Sequence, residues 1–216
     1  MAKDDTLDKS TIKKSIVFII VIIIVIAGVG LASFFLLRDT EDKDAILEQK
    51  NISEISGYGI TLNERDSELY KEEFLKLKDI LETEPIDYSE YAKSLAKLFI
   101  IDLYDIDSKV NKYDVGGIEE VYEPIRENYS VNVQDTLYKY LEDNTNETRE
   151  QELPIVSSIT VESIEDNKFT YKSDNVTYDG YKVKLNWTYK YENGYDKSGE
   201  VIIINKDSKL YVVEKN

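Results

Sequence analysis

The sequence predicts an α+β protein with an N-terminal transmembrane helix, followed by helices packed on a curved antiparallel sheet. Three observations predict this class. An uncharged apolar run fills residues 16–37. Apolar residues then recur at helical spacing as far as about residue 142, and strict alternation of apolar and polar residues begins after Pro154. Helices followed by strands are typical of domains in which the helices cover one face of the sheet.

The apolar run at 16–37 is predicted to be a membrane anchor, because roughly 20 apolar residues cross a bilayer as a helix. A cleaved secretory signal has a shorter apolar region, of roughly 7–15 residues. Cleavage after the Gly and Ala residues at 28–32 is the alternative. The tail 1–15 contains four Lys, whereas the residues just after the anchor are mostly acidic. The flank richer in Lys and Arg stays in the cytoplasm, so we expect a single-pass cell-membrane protein with a cytoplasmic N-terminus and an extracytoplasmic C-terminal domain.

The charge of the chain excludes one class of partner. The formal net charge is −16, and nearly all of it lies beyond residue 37. Nucleic acids select Lys- and Arg-rich surfaces, so we expect no nucleic-acid partner. The chain has no cysteine and no histidine, so the extracytoplasmic core must be stable without disulfides. The abundance of Ile, Lys, Asn, Asp, Glu and Tyr indicates a bacterial chain.

Residues 38–60 are polar and acidic and are interpreted as a linker, which leaves residues 61–216 as the extracytoplasmic domain. Thr61 and Glu64 have the spacing of a capping box, in which both side chains satisfy free amides at the start of a helix. They predict a first helix that ends before Pro85.

A second helix is predicted to begin at Asp87 and to continue to about Val110, with its apolar side forming the spine of the core. Gly116 and Gly117 break this pattern. A short helix within 118–128 and another over 132–142 follow, and residues 143–152 form a polar loop.

Strict alternation over residues 181–191 predicts a long strand with one buried and one solvated face. Shorter strands are expected at 155–164, 168–173, 199–205 and 209–214. Polar residues at 165–167 and 205–208 are predicted to form the turns between them.

This order of elements, an anchor followed by helices and a C-terminal sheet, resembles the NTF2-like fold. Residues 122–129, with the sequence YEPIRENY, are similar to an aromatic-x-x-x-Arg-Glu-x-Tyr segment of VirB8-like proteins. Those proteins are membrane-anchored components of conjugation and type IV secretion systems. The resemblance implies a cone formed by the sheet and a long helix, contacts with other envelope proteins, and no catalysis.

Two acidic segments contain the oxygen ligands that a metal site requires. Asp102, Asp105 and Asp107 offer oxygen ligands, but only the first two share a helix face. Residues 143–147 are rich in oxygen but lack the glycine that an EF-hand loop requires. We interpret the first segment as a solvated helix edge and the second as a loop, and we expect no metal and no cofactor.

Catalysis is not expected either. Without His or Cys, nucleophilic sites that use either residue are excluded. Positions 181–191 that face inward contain no carboxylate to act as a base. An enzyme would need a buried carboxylate inside the cone.

The aromatic stripe at the end of the long strand is the one candidate site. Trp187, Tyr189 and Tyr191 combine apolar area with a polar group, as interface residues often do. The alternative is that the stripe is simply the inner face of the sheet. The predicted function is a scaffold or assembly protein of a bacterial cell-envelope complex that binds other envelope proteins or copies of itself. The alternative is a regulatory module that binds a ligand or peptide in the cone.

Overall fold

The computed structural model describes residues 50–171, 175–192 and 194–216. The tail 1–15, the predicted anchor 16–37 and most of the predicted linker lie outside these residues. Within the described ranges, no helix is both long and apolar enough to span a membrane.

The predicted fold class is confirmed for this part of the chain: three α-helices pack on a curved antiparallel sheet. A small hairpin comes first, the helices follow, and four strands end the chain. The elements are β1 (Asn51–Ile55), β2 (Ile60–Asn63), α1 (Glu68–Glu82), α2 (Tyr88–Tyr104), α3 (Arg126–Asp135), β3 (Val156–Tyr171), β4 (Val176–Tyr189), β5 (Ser198–Lys206) and β6 (Lys209–Lys215).

The main sheet has the order β3-β4-β5-β6, with every neighbouring pair antiparallel. Alternate residues of β4 point to one face, so Val183, Leu185 and Trp187 are buried together. The helix α2 packs against this face and is the most buried helix among the described residues. The predicted core spine is therefore confirmed.

Helix starts agree with the sequence in one case and differ in the other. Asp87 caps α2, because its Oδ1 accepts from the amides of Ser89 (3.0 Å) and Glu90 (3.1 Å). The expected cap of the first helix at Thr61 is wrong. Thr61 lies in β2, and its amide and hydroxyl donate to the Glu119 carboxylate. Ser67 caps α1 instead.

The folded region begins before residue 61. The last part of the expected linker forms β1 and the start of β2, joined through a turn at Gly57 and Gly59. Ile55 and Ile60 are buried in the core. These two apolar side chains attach to the core a segment that is otherwise polar.

The hairpin of β3 and β4 is longer than predicted. The turn expected at 165–167 is wrong, because Glu165 and Asp166 pair with Lys182 and Tyr181 within the ladder. Cross-strand partners thus satisfy polar residues that in isolation favour a turn. The turn at 205–208 is confirmed by the positive φ of Asp207 and Ser208.

The helix expected at 132–142 begins and ends earlier. It ends at Asp135, and the chain then turns so that the buried Tyr138 donates its hydroxyl to the carbonyl of Leu103 at 2.8 Å. The tertiary hydrogen bond holds Tyr138 in the core.

Candidate functional site

A pocket of about 570 Å³ lies between α2, α3 and β6. Its interior is mostly apolar, and its rim includes amides, a hydroxyl and charged groups. It is lined by Phe99, Leu103, Tyr104, Val121, Ile125, Asn128, Tyr129, Asn132, Val133, Thr136, Leu137, Asp196, Val212, Val213, Glu214 and Lys215. Pockets of this size and character commonly bind small molecules or the side chains of a partner.

The inner wall of the pocket depends on a close approach between α2 and the turn at Gly116 and Gly117. A Cβ on Gly116 would lie 2.0 Å from the carbonyl oxygen of Asp102, and one on Gly117 would lie 2.8 Å from the Phe99 ring. Tyr129 of α3 donates its hydroxyl to the carbonyl of Gly116 at 2.6 Å. Its ring packs on Phe99 with centroids 5.9 Å apart.

Three polar side chains meet at the rim near the end of β6. The Asp196 Oδ2 accepts from the Tyr104 hydroxyl and from the Lys215 ammonium, each at 3.0 Å. Hydrogen bonds from Lys215 and Tyr104 hold the pKa of Asp196 below its usual value. Burial raises the pKa of Tyr104, and Asp196 raises it further. The rim therefore carries an ion pair between Asp196 and Lys215.

The predicted aromatic stripe lies behind this rim. Trp187 is buried against Tyr104, with ring centroids 5.1 Å apart. Its Nε1 donates to the Tyr189 hydroxyl at 2.8 Å, and that hydroxyl donates to the carbonyl of Asp196 at 2.7 Å. Tyr191 is 60% exposed and follows the strand. None of the three lines the pocket, but Trp187 and Tyr189 position two of the residues that do.

Residues of the YEPIRENY segment support the wall of the pocket where the start of α3 approaches β6. Arg126 donates to the carbonyl of Val121 at 2.9 Å and to the carbonyl of Glu119 at 2.8 Å. Tyr122 donates its amide to the carbonyl of Val212 in β6, and the Val212 amide donates to the carbonyl of Glu120. This segment therefore runs beside the edge of β6 and forms a parallel bridge with it.

A buried ionic group lies below the Gly116–Gly117 turn. Asp102 pairs with the buried ammonium of Lys109 and accepts from the amide of Gly117 at 2.6 Å. Burial alone would lower the pKa of Lys109, but the attraction of Asp102 outweighs this and raises it. The ion pair fixes the end of α2 beneath the turn.

Glu120 lies close to this group and is 1% exposed. Within the described residues, neither of its carboxylate oxygens has a hydrogen-bond partner. Burial raises the pKa of Glu120 well above its usual value, and the charges of Asp102 and Glu119 raise it further. Glu120 is not among the residues that line the pocket.

The acidic segment IDLYDID is not the solvated helix edge that the sequence indicated. Asp102 is paired with Lys109, and Asp105 is buried with its pKa raised to about 6 by burial. Only Asp107 is largely exposed, near Arg149. The partners come from residues distant in the chain or beyond the helix, so helical periodicity alone could not reveal them. No group of three potential ligands able to hold a metal is found in the described residues.

The oxygen-rich residues 143–147 form a turn, as the sequence indicated. Asp143 accepts from the amide of Thr145 at 2.8 Å and from the Asn111 side chain at 3.4 Å. Hydrogen bonds from Thr145 lower the pKa of Asp143. Its carboxylate oxygens therefore hold the turn through the Thr145 amide and the Asn111 side chain.

Sequence reasoning missed the pocket because its walls come from residues between 99 and 215. The Gly116–Gly117 pair was the available signal, since two adjacent glycines beside a core helix often mark a close approach of backbones.

Comparison of the chain with protein-family models, curated proteins and solved structures gives no match.

Proposed function

We propose that the chain is a non-enzymatic binding module, a single-pass membrane-anchored scaffold part of a bacterial cell-envelope complex. Residues 16–37 would anchor it, and the extracytoplasmic domain would hold its partner through the pocket between α2, α3 and β6. The resemblance to NTF2-like, VirB8-like proteins suggests a complex of the conjugation or type IV secretion type.

The pocket is the observation that carries the proposal. Its apolar interior offers burial to an apolar group, which is worth about 25 cal/mol for each Å² removed from water. Its polar groups stand at the rim, where they orient a ligand without facing an apolar interior. The carboxylates of the lining, Asp196 and Glu214, both come from the β6 side of the rim. A binding role uses both the apolar interior and the polar groups at the rim.

The test uses a fluorophore at the rim. The chain has no cysteine, so Thr136→Cys in the full chain gives a single attachment point for acrylodan. The labelled chain in nanodiscs of zwitterionic lipid is titrated with phenethylamine. A separate titration with ethanolamine, which has a similar charge and no apolar ring, is the control. We expect a saturable emission shift with phenethylamine alone.

Two tryptophan substitutions on α3 provide the matched control. Asn132→Trp places an indole over the pocket, whereas the side chain of Val131 is 52% exposed and does not line it. We expect Asn132→Trp to abolish the phenethylamine response and Val131→Trp to leave it unchanged. Equal responses in both variants would reject the pocket as the binding site.

A regulatory module that binds a small molecule is the second candidate, favoured by a volume within the range of small-molecule sites, roughly 300–1,000 Å³. Extraction of the purified full chain followed by mass spectrometry separates the two functions. A small molecule that accompanies the unaltered chain and Val131→Trp, but not Asn132→Trp, would favour the regulatory module.

A further inference from the structure

We infer that the partner held by this pocket is an extended, basic peptide segment that adds a strand to the edge of β6 beyond Val212. This inference rests on the proposed function and names the chemistry of its partner. It is carried by the way β6 meets the pocket and by the short segment that already pairs with the same edge.

The pocket faces the edge of β6 rather than one of its faces. Four consecutive residues line it, from Val212 to Lys215. A β-bulge interrupts the alternation of β6 here, because Ile203 pairs with Val212 and Ile202 with Glu214, and Val213 falls between them. Val121, which bridges the outer edge of β6, lines the same cavity, so the cavity lies along that edge. The opposite wall is α3, so the cavity is a groove between an edge strand and a helix.

Backbone groups on this edge are directed into the groove. Asn216 exchanges both backbone hydrogen bonds with Glu200 of β5, each at 2.9 Å. In an antiparallel pair such bonded positions alternate, so the neighbouring Lys215 turns its N–H and C=O toward the groove. Among the described residues, β6 is the last strand of the main sheet. An added strand would satisfy these groups.

The chain itself already pairs with this edge at a single isolated bridge. Residues 120–122 bridge β6 in parallel at Val212, with both hydrogen bonds at 2.9 Å. The segment then leaves the edge, because Pro124 lies in a 3-10 turn and the helix α3 follows. A bound peptide would continue the line of residues 120–122 past Val213 and Lys215. It would place alternate side chains into the apolar pocket, as peptides added to sheet edges do.

Charge selects a basic peptide. The chain carries −16, and the rim contributes Glu214, which is exposed, and Asp196. Lys215 already pairs with Asp196, which leaves Glu214 as the carboxylate available to a cationic side chain of the peptide. An acidic peptide would be repelled both locally and by the domain as a whole.

The experiment measures fluorescence anisotropy of labelled peptides with the full chain in zwitterionic nanodiscs. The probe is a capped peptide of alternating Lys and Val. One control replaces every Lys by Glu, and another keeps the Lys-Val sequence but methylates alternate backbone nitrogens. We expect saturable binding of the first peptide only. Equal binding of the methylated peptide would show charge attraction without strand addition and would overturn the inference.

Two substitutions at one position isolate the backbone of β6. Lys215→Met removes the ammonium and keeps the N–H, whereas Lys215→Pro removes both, and proline is tolerated on the outward side of an edge strand. We expect binding of the Lys-Val peptide to be about tenfold weaker with Lys215→Pro than with Lys215→Met, as for one lost hydrogen bond. Equal affinities would overturn strand addition. Circular dichroism of both variants checks that the sheet is retained.

The outcomes separate this inference from the proposed function. Phenethylamine binding without peptide binding would leave the pocket as a ligand site and reject the strand. Loss of both would reject both. If sedimentation shows that the full chain forms dimers that Lys215→Pro disrupts, the edge pairs with a second copy, and the basic peptide is rejected as its partner.

Discussion

The ammonium group of Lys109 lies against the carboxylate of Asp102, beneath the turn that Gly116 and Gly117 form. The pair joins the last turns of α2 to the segment that carries one wall of the pocket. The side chain of Lys109 is almost fully buried, so its charge would have no access to water if Asp102 were removed. The side chain of Asp102 is 20% exposed, so most of its carboxylate would also be shielded from water if Lys109 were removed.

Lys109→Met is therefore expected to destabilise the fold by about 3 kcal/mol, the lower end of the range for a buried pair, since it leaves a carboxylate that is only 20% exposed without its counter-ion. The exposed pair of Lys168 and Asp179 provides the control, and Lys168→Met should cost less than about 1 kcal/mol. Urea unfolding of the full chain in detergent micelles, followed by the fluorescence of the single tryptophan, Trp187, measures both. Similar costs for the two variants would contradict a structural role for the buried pair.

Glu120→Gln should change the pH dependence of stability. The pKa of Glu120 is raised in the fold by burial, so the unfolded chain ionises first, near the ordinary value of about 4.3. The stability linked to this group is present below that pH and is lost as pH rises toward the folded pKa. Glutamine does not ionise, so the variant should gain stability over the unaltered chain as pH rises above about 4.3 and until it reaches the folded pKa, by up to about 1.4 kcal/mol per pH unit.

The same unfolding measurement at several pH values tests this expectation. Burial raises the pKa values of Asp66 and Asp105 to about 6, so ionisation of these two groups also lowers the stability of the fold over an overlapping pH range. They are present in both proteins and cancel in the difference. Parallel stability curves for the two proteins would show that Glu120 ionises as easily in the fold as in the unfolded chain.

Gly117→Ala should disturb the pocket wall. Gly117 has φ +74°, and an added Cβ would lie 2.8 Å from the Phe99 ring and 2.9 Å from the Tyr129 hydroxyl. Gly194 has a similar φ, but an added Cβ would meet nothing within 4 Å. Gly194→Ala should therefore cost only the backbone strain of about 1–2 kcal/mol. We expect a larger loss of stability for Gly117→Ala, together with weaker phenethylamine binding, and equal effects in the two variants would argue against a steric origin.

Tyr189→Phe removes the hydroxyl that connects Trp187 to the carbonyl of Asp196. Two hydrogen bonds are lost, and the expected cost is about 1–3 kcal/mol. Tyr191→Phe is the matched control, because Tyr191 is largely exposed and should change stability by less than about 0.5 kcal/mol. Equal stabilities for the two variants would show that the Asp196 segment is held by other contacts.

Local patterns predicted the elements whose residues have one dominant role. The alternation at 181–191 placed the buried face of β4 correctly, and Asp87 marked the start of α2. Both signals depend on residues adjacent in the chain. The Gly116–Gly117 break was also visible, although the close approach that requires it was not.

The errors share a physical cause: a partner outside the local segment satisfies a polar group that the local pattern assigned to another role. Thr61 resembles a helix cap until Glu119 accepts from its amide. Asp102 resembles a solvated helix residue until Lys109 neutralises it. The pocket could not be predicted for the same reason, since its two walls meet only when the sheet brings β6 beside α3.

If residues 16–37 anchor the chain as proposed, the early hairpin limits how far the domain can lie from the membrane. Because β1 begins at Asn51 and the hairpin is secured by the burial of Ile55 and Ile60, only residues 38–50 remain as a tether to the proposed membrane helix. A tether of that length reaches at most about 45 Å. The groove would then stay within about that distance of the bilayer. Confinement to this layer would raise the effective concentration of other anchored proteins and so strengthen binding through a short strand contact.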